Sequence, residues 1–134
     1  MIKILPQTRG RDEHGAGYFG ASRGHRIHRG VDFAAKEGEF VRSFLGGRVS
    51  KLGFPYESNQ VLRYVEIVGL DGNRLRYFYV FPSVILGQEI EKEQVIGTVQ
   101  LLPYSGITAH YHFEVKTPSD EYLDPIRYLS GDIA

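Results

Sequence analysis

The run His110-Tyr111-His112-Phe113-Glu114-Val115 alternates strictly between ionisable or polar and apolar-bodied side chains. A period of two belongs to an extended strand. It sends His110, His112 and Glu114 to one face and Tyr111, Phe113 and Val115 to the other. One face is then fit for a core, and the opposite one gathers two imidazoles and a carboxylate. Runs rich in β-branched and aromatic residues over 40–44, 47–54, 61–69, 74–81 and 95–102 also read as strands. Gly46-Gly47 and Asp71-Gly72 stand between them as hairpin signals, because Gly and Asp tolerate positive φ. The acidic stretch 87–95 reads as a loop, and residues 125–129 as one helical turn. Residues 1–30 are rich in Gly and Arg without a period, and read as an ordered loop after a short first strand. The expected fold is mainly β: a single antiparallel β-sheet domain over residues 1–134, with long loops and little helix.

A chain of 134 residues is one domain's worth and buries enough apolar surface to fold without staples. It contains no cysteine, which excludes a disulfide framework, a thiol nucleophile and any Cys-based metal site. A metal would have to be held by histidine and carboxylate. No stretch approaches the roughly 18 apolar residues of a membrane span, and Met1 to Pro6 shows no signal-peptide pattern. The formal net charge of zero argues against bulk binding of nucleic acid. The charge is uneven, with six basic and two acidic groups in residues 1–30. A basic stretch of that kind suits an anionic polymer, although a solvated surface is the plainer reading.

Gly15-Ala16-Gly17-Tyr18-Phe19-Gly20 matches the dinucleotide-binding pattern by letter but has no apolar strand before it and no helix after it, so it is set aside. His28-Arg29-Gly30-Val31-Asp32-Phe33 is more telling. It places an imidazole and a carboxylate four residues apart, around a glycine that lets the backbone bend. Val31 and Phe33 point to a core and leave Asp32 on the other face. Zinc favours imidazole nitrogen and carboxylate oxygen, and catalytic sites use three protein ligands plus an open position. His28, Asp32 and one of His110 and His112 make such a set, and either C-terminal histidine can complete it.

The motif from Ser22 to Ala34, followed by Gly38, Val41 and Gly46 to Val49, resembles the opening motif of LytM/lysostaphin-type zinc endopeptidases, metallopeptidase family twenty-three. The Asp71-Gly72-Asn73 hairpin, Arg76 to Tyr79, Gly87-Gln88, Ile96 to Thr98 and His110 to Val115 follow in that family's order, so the resemblance covers about residues 17–129. It implies a β-sheet groove with zinc at its floor, and hydrolysis of peptide bonds in peptidoglycan stems or cross-bridges. It also implies His28, Asp32 and His112 as zinc ligands and His110 as a catalytic histidine.

The chain departs from the family at one place. A second non-ligand histidine is usual there, in a Tyr-x-His motif on the strand read here as 74–81. Tyr79 stands at that position, and a register shift of two would put Tyr77 there instead. A phenol can still donate to a developing oxyanion. The alternative is a weakened module of the same fold that binds cell wall or a partner protein; a third reading is a zinc hydrolase acting on another small peptide. His14 and His25 read as loop histidines, Tyr64 and Tyr77 as packing residues, and Arg23 and Arg26 as groups able to meet substrate carboxylates. The expected protein is a monomer acting on the wall from the periplasm or outside the cell. With no export signal in view, a phage lytic protein fits this pattern, and a piece of a longer exported protein fits it equally.

Overall fold

The computed structural model describes residues 8–9, 17, 19–20, 22–23, 26–103 and 106–131. Twelve strands run in chain order: β1 (Ser22–Arg23), β2 (Arg26–Ile27), β3 (Val31–Ala34), β4 (Phe40–Arg42), β5 (Gly47–Gly53), β6 (Tyr64–Gly69), β7 (Arg74–Phe78), β8 (Val80–Pro82), β9 (Glu89–Ile90), β10 (Val95–Val99), β11 (His110–Lys116) and β12 (Tyr122–Leu123). A six-residue helix, α1 (Pro125–Ser130), follows. Asp124 caps its start by accepting from Ile126 and Arg127 amides, and Gly131 at φ 84° ends it. The fold is mainly β, as expected, and every strand pairing is antiparallel.

The strands form three sheets. A seven-stranded sheet runs β12-β11-β7-β6-β5-β9, with β3 pairing β11 as well; β4-β10-β8 make a second, and β1-β2 a small ribbon. Where the large and three-stranded sheets meet, Phe33, Phe44, Tyr77 and Phe113 pack with ring centroids 4.8–6.2 Å apart. Val41, Val80 and Ile96 come from the smaller sheet and join the same buried cluster. The alternation of β11 is realised as read. Phe113 and Val115 are fully buried in this core.

Four local readings change. The stretch 74–81 is two strands, broken at Tyr79, whose φ of 68° turns the chain from the large sheet into the smaller one. Gly46-Gly47 makes no hairpin, since β4 pairs β10 while β5 pairs β6 and β9; the glycines mark a change of sheet. The strand expected from residue 61 begins at Tyr64. The acidic 87–95 stretch holds the short β9, because Gly47 and Arg48 pair with Ile90 and Glu89. Asp71-Gly72 does turn the β6–β7 hairpin, with Gly72 at φ 85° and the Gly69 amide donating to Asn73 O.

Candidate metal centre and groove

Strand register assembles the site. On one rung, Asp32 of β3 pairs His112 of β11, which pairs Phe78 of β7, which pairs Tyr64 of β6. Two residues along, Glu114, Arg76 and Glu66 make the next rung. These residues line or underlie a groove of about 500 Å³.

At its floor His28 Nε2, Asp32 Oδ1 and His112 Nδ1 form a near-equilateral triangle. The separations are 3.0 Å between the two nitrogens, 2.9 Å from His112 to Asp32 and 3.2 Å from His28 to Asp32. Of the two C-terminal histidines, His112 is the one that joins this triangle.

Gly30 is needed there for a reason other than bending. A Cβ at that position would lie 2.4 Å from Phe113 O and 2.8 Å from His112 Cε1 and Nε2. Only glycine lets β3 approach β11 this closely with an imidazole between them.

Further groups hold the triangle's members in place. Arg9 is buried, and its Nε and Nη2 donate to Asp32 Oδ2 at 3.0 and 2.8 Å, which leaves Oδ1 turned towards the histidines. Its segment is anchored by the Arg9 amide to Asp32 O at 2.5 Å and by the Asp32 amide to Gly17 O at 2.7 Å. His112 Nε2 lies 3.1 Å from Glu114 Oε1, while Glu114 Oε2 sits 3.4 Å from Arg76 Nη1. Arg76 Nε in turn lies 3.3 Å from Glu66 Oε2. Both ring nitrogens of His112 therefore face acidic oxygens and are placed to donate to them.

Electrostatics follow from that arrangement. Burial alone would lower the His112 imidazole, but hydrogen bonds to Asp32 and Glu114 and their charges push it up to about 9. Burial works to raise the Asp32 carboxyl; hydrogen bonds to His112 and His28 and the His112 and His110 charges hold it far below the usual carboxylate range.

His110 is placed differently. Its Nδ1 lies 2.6 Å from Thr108 O, so Nδ1–H donates there and Nε2 is left as an acceptor. Nε2 is 3.6 Å from Asp32 Oδ2, the oxygen on the far side of the carboxylate. Burial pushes the His110 imidazole down against the pull of Asp32, which favours the neutral base. Its ring meets that of Tyr79 edge-on at 5.7 Å. Tyr79 lines the groove, whereas Tyr77 is fully buried, with its hydroxyl accepting from the Phe44 amide at 3.0 Å. Tyr79, and not Tyr77, is therefore the phenol at this wall. Tyr64 packs against Phe78 at 4.8 Å, under the guanidinium of Arg76.

His14 and His25 lie outside the described residues, as do the side chains of Arg23 and Arg26. The sequence reading missed Arg9, Gly30's close approach, Glu114's hold on His112 and Tyr56 beside Tyr79. Only Glu114 had a signal, its place two residues beyond His112.

The profile of peptidase family M23 matches residues 26–125. The chain belongs to peptidase family M23. Bovine (Bos taurus) leukocyte cell-derived chemotaxin-2 is 30% identical over 122 residues, covering 88% of this chain and 76% of that protein. Chicken (Gallus gallus) myeloid protein 1 is 33% identical over 122 residues, covering 85% of this chain but only 36% of its own length. The catalytic domain of the antimicrobial peptidase lysostaphin from Staphylococcus simulans has the same fold, with TM-score 0.71 at 25% identity over 87% of this chain and 90% of that one. The chain spans 54% of the longer lysostaphin structure. The catalytic domain of an A109H mutant of the prophage-encoded M23 protein EnpA from Enterococcus faecalis shares the fold at TM-score 0.69 and 19% identity, covering 92% of this chain and 96% of that domain. The groove is thus carried on a lysostaphin-type M23 fold, and no helix among the described residues is long and apolar enough to cross a membrane.

Proposed function

We propose that this M23 domain is a zinc endopeptidase that hydrolyses peptide bonds in the stems or cross-bridges of bacterial peptidoglycan. The observation that carries this reading is the His28–Asp32–His112 triangle. A tetrahedral zinc with bonds of about 2.0–2.2 Å separates its ligand atoms by roughly 3.3–3.6 Å. The three donors, already 2.9–3.2 Å apart, need only a slight spreading. Two imidazole nitrogens and a carboxylate oxygen are zinc's preferred set, and Arg9 and Glu114 supply the outer support such ligands use. When bound, zinc polarises the scissile carbonyl and acidifies water at its open position.

The chain's own groups do the rest. His110 Nε2, its lone pair exposed by the Nδ1–H bond to Thr108, accepts the proton from the attacking water. The Tyr79 hydroxyl donates to the oxyanion that develops on the substrate carbonyl. The groove of about 500 Å³ over the triangle receives the substrate peptide. The substrate sets the place of work outside the cytoplasmic membrane, reached by export or by phage-borne delivery, and the domain acts as a monomer.

His110→Ala should lower hydrolysis of cross-linked peptidoglycan by about 10²–10⁴-fold while zinc content stays stoichiometric. Loss of the metal in that variant would reverse the roles of His110 and His112.

A second reading is a groove that binds wall or a protein partner without cutting. It is supported by Tyr79 in place of a histidine and by similarity to a protein named as a chemotaxin. Stoichiometric zinc with no fragments released from several wall chemistries would favour it.

A further inference from the structure

Three arginines line the groove, and two of them are bound to the protein's own carboxylates. Arg9 donates to Asp32, and Arg76 lies between Glu66 and Glu114. Arg29 is different. It is exposed, and its guanidinium carbon stands over the Tyr122 ring, 5.1 Å from the centroid. Among the described residues no carboxylate pairs with it.

Strand pairing places this cation at one end of the groove. β3 pairs β11 from His110 to Phe113, and β12 pairs it at Val115 and Lys116. β7 takes the opposite edge of β11, from His112 to Lys116. β3 and β12 therefore lie end to end along one edge. Arg29, two residues before β3, meets Tyr122, the first residue of β12, near the join. The Tyr79 ring stands beside His110, at the other end of β11. His112 lies between them, so the groove has a phenolic end and a cationic end.

The described residues do not neutralise the cationic end. Lys116 Nζ also stands over the Tyr122 ring, 5.4 Å from its centroid. Asp120 lies 3.7 Å from Lys116 and is shared with Arg74, so one carboxylate faces two cations before Arg29 is counted. Glu114 is engaged by His112 and Arg76, and Glu121 accepts from the Ser119 hydroxyl. An aromatic face attracts a cation but offers no lone pair. Tyr122 thus holds Arg29 while leaving its planar fork of N–H donors for a ligand. That fork matches the two oxygens of a carboxylate.

We propose that Arg29, held over Tyr122, is the specificity-determining residue of a carboxylate subsite and binds a free carboxylate of the substrate peptide close to the scissile bond. The proposal rests on the zinc-peptidase reading above and narrows its substrate class. Arg29 directly follows His28, a Cα step of about 3.8 Å, and an extended peptide advances about 3.3 Å per residue. The carboxylate therefore belongs to a residue within about three positions of the bond cut. Wall stems carry free carboxylates, whereas a bridge made only of glycine has none between its ends. The groove is fitted to acidic stems over neutral bridges.

Cross-linked stem peptides in two forms, with their side-chain carboxylates free or amidated, test it on the zinc-loaded protein. The wild type should cut the free form with kcat/KM about 5- to 30-fold above the amidated form, as expected of a charge-assisted fork partly screened by solvent. In Arg29→Gln that ratio should fall to about 1 while zinc stays stoichiometric. Arg29→Lys keeps the charge without the fork and should retain part of the preference. A ratio of about 1 in the wild type, or a wild-type ratio that persists in Arg29→Gln, overturns the subsite. Titration of the same two peptides into zinc-loaded His110→Ala protein, followed by the Tyr122 ring resonances, reads the subsite without hydrolysis. Equal affinities there overturn it. If the wild type cuts neither peptide, yet the free form binds the more tightly and loses that advantage on Arg29→Gln, the subsite stands and the peptidase reading fails.

Discussion

The triangle at the groove floor and the tyrosine wall beside it are built by opposite means. His112 and Asp32 sit opposite each other on paired strands, so the register that makes the sheet also makes the contact. His28 lies just before β3, and Arg9 clamps the carboxylate from behind. Tyr79 instead occupies the point where pairing stops, and Tyr56 comes from the connection between β5 and β6. The floor is the more buried of the two, with Asp32 3% exposed, while Tyr56 is 38% exposed. Sheet register fixes how far apart Asp32 and His112 stand. A loop and a strand break leave the substrate wall open to change without disturbing the floor. That difference separates a wall carried on a loop and a strand break from three donors held by the sheet below it.

The comparison breaks most visibly at Asp32. Asp32→Ala should abolish zinc binding and also unfold the protein more readily, because the buried Arg9 guanidinium loses its two bonds to the Asp32 carboxylate. Breaking a buried pair in this way costs about 3–5 kcal/mol, or a Tm drop of roughly 10–20 °C for a chain of this size. Metal analysis and thermal unfolding read both losses, and a variant with unaltered Tm would show that the Arg9 clamp is dispensable.

Tyr79→Phe is the contrasting test at the wall. It should leave zinc content and Tm unchanged and reduce kcat by about 10²–10³-fold. A drop in metal content would mean that wall and floor are one structural unit. The smallest effect is expected behind the floor. Glu114→Ala removes the oxygen that orients His112 Nε2 and should weaken zinc affinity by about 10–100-fold in a competition titration. No change there would leave Asp32 as the sole determinant of the ring's orientation.

The floor was legible in the chain because it obeys strand periodicity. His110, His112 and Glu114 share a face by arithmetic, and Val31 and Phe33 declare which way Asp32 must point. What periodicity cannot show is which of two same-face histidines leans onto the carboxylate; strand pairing puts His112 opposite Asp32, with Nδ1 2.9 Å from its Oδ1. Arg9 was illegible because it reaches Asp32 from 23 residues upstream, out of a Gly- and Arg-rich stretch with no period to place it. The glycine between His28 and Asp32 was seen, but its purpose was not. Its φ is not positive; the constraint is the space beside the His112 ring, which only a neighbouring strand reveals. At 74–81 the propensity for extended structure was correct on both sides of Tyr79. The break came from its own amide and carbonyl, which find partners at Arg63 and Gln100 and not on a neighbouring strand of the large sheet.

The two-faced strand β11 has a consequence for how the molecule reaches its native state. Sliding it by one residue against β3 and β7 would drive His110, His112 and Glu114 into the space filled by Phe33, Phe44 and Tyr77, and expose Phe113 and Val115 to water. The polarity that equips the groove for chemistry therefore also proofreads the sheet. A mispaired chain is rejected by the same polar groups that line the groove.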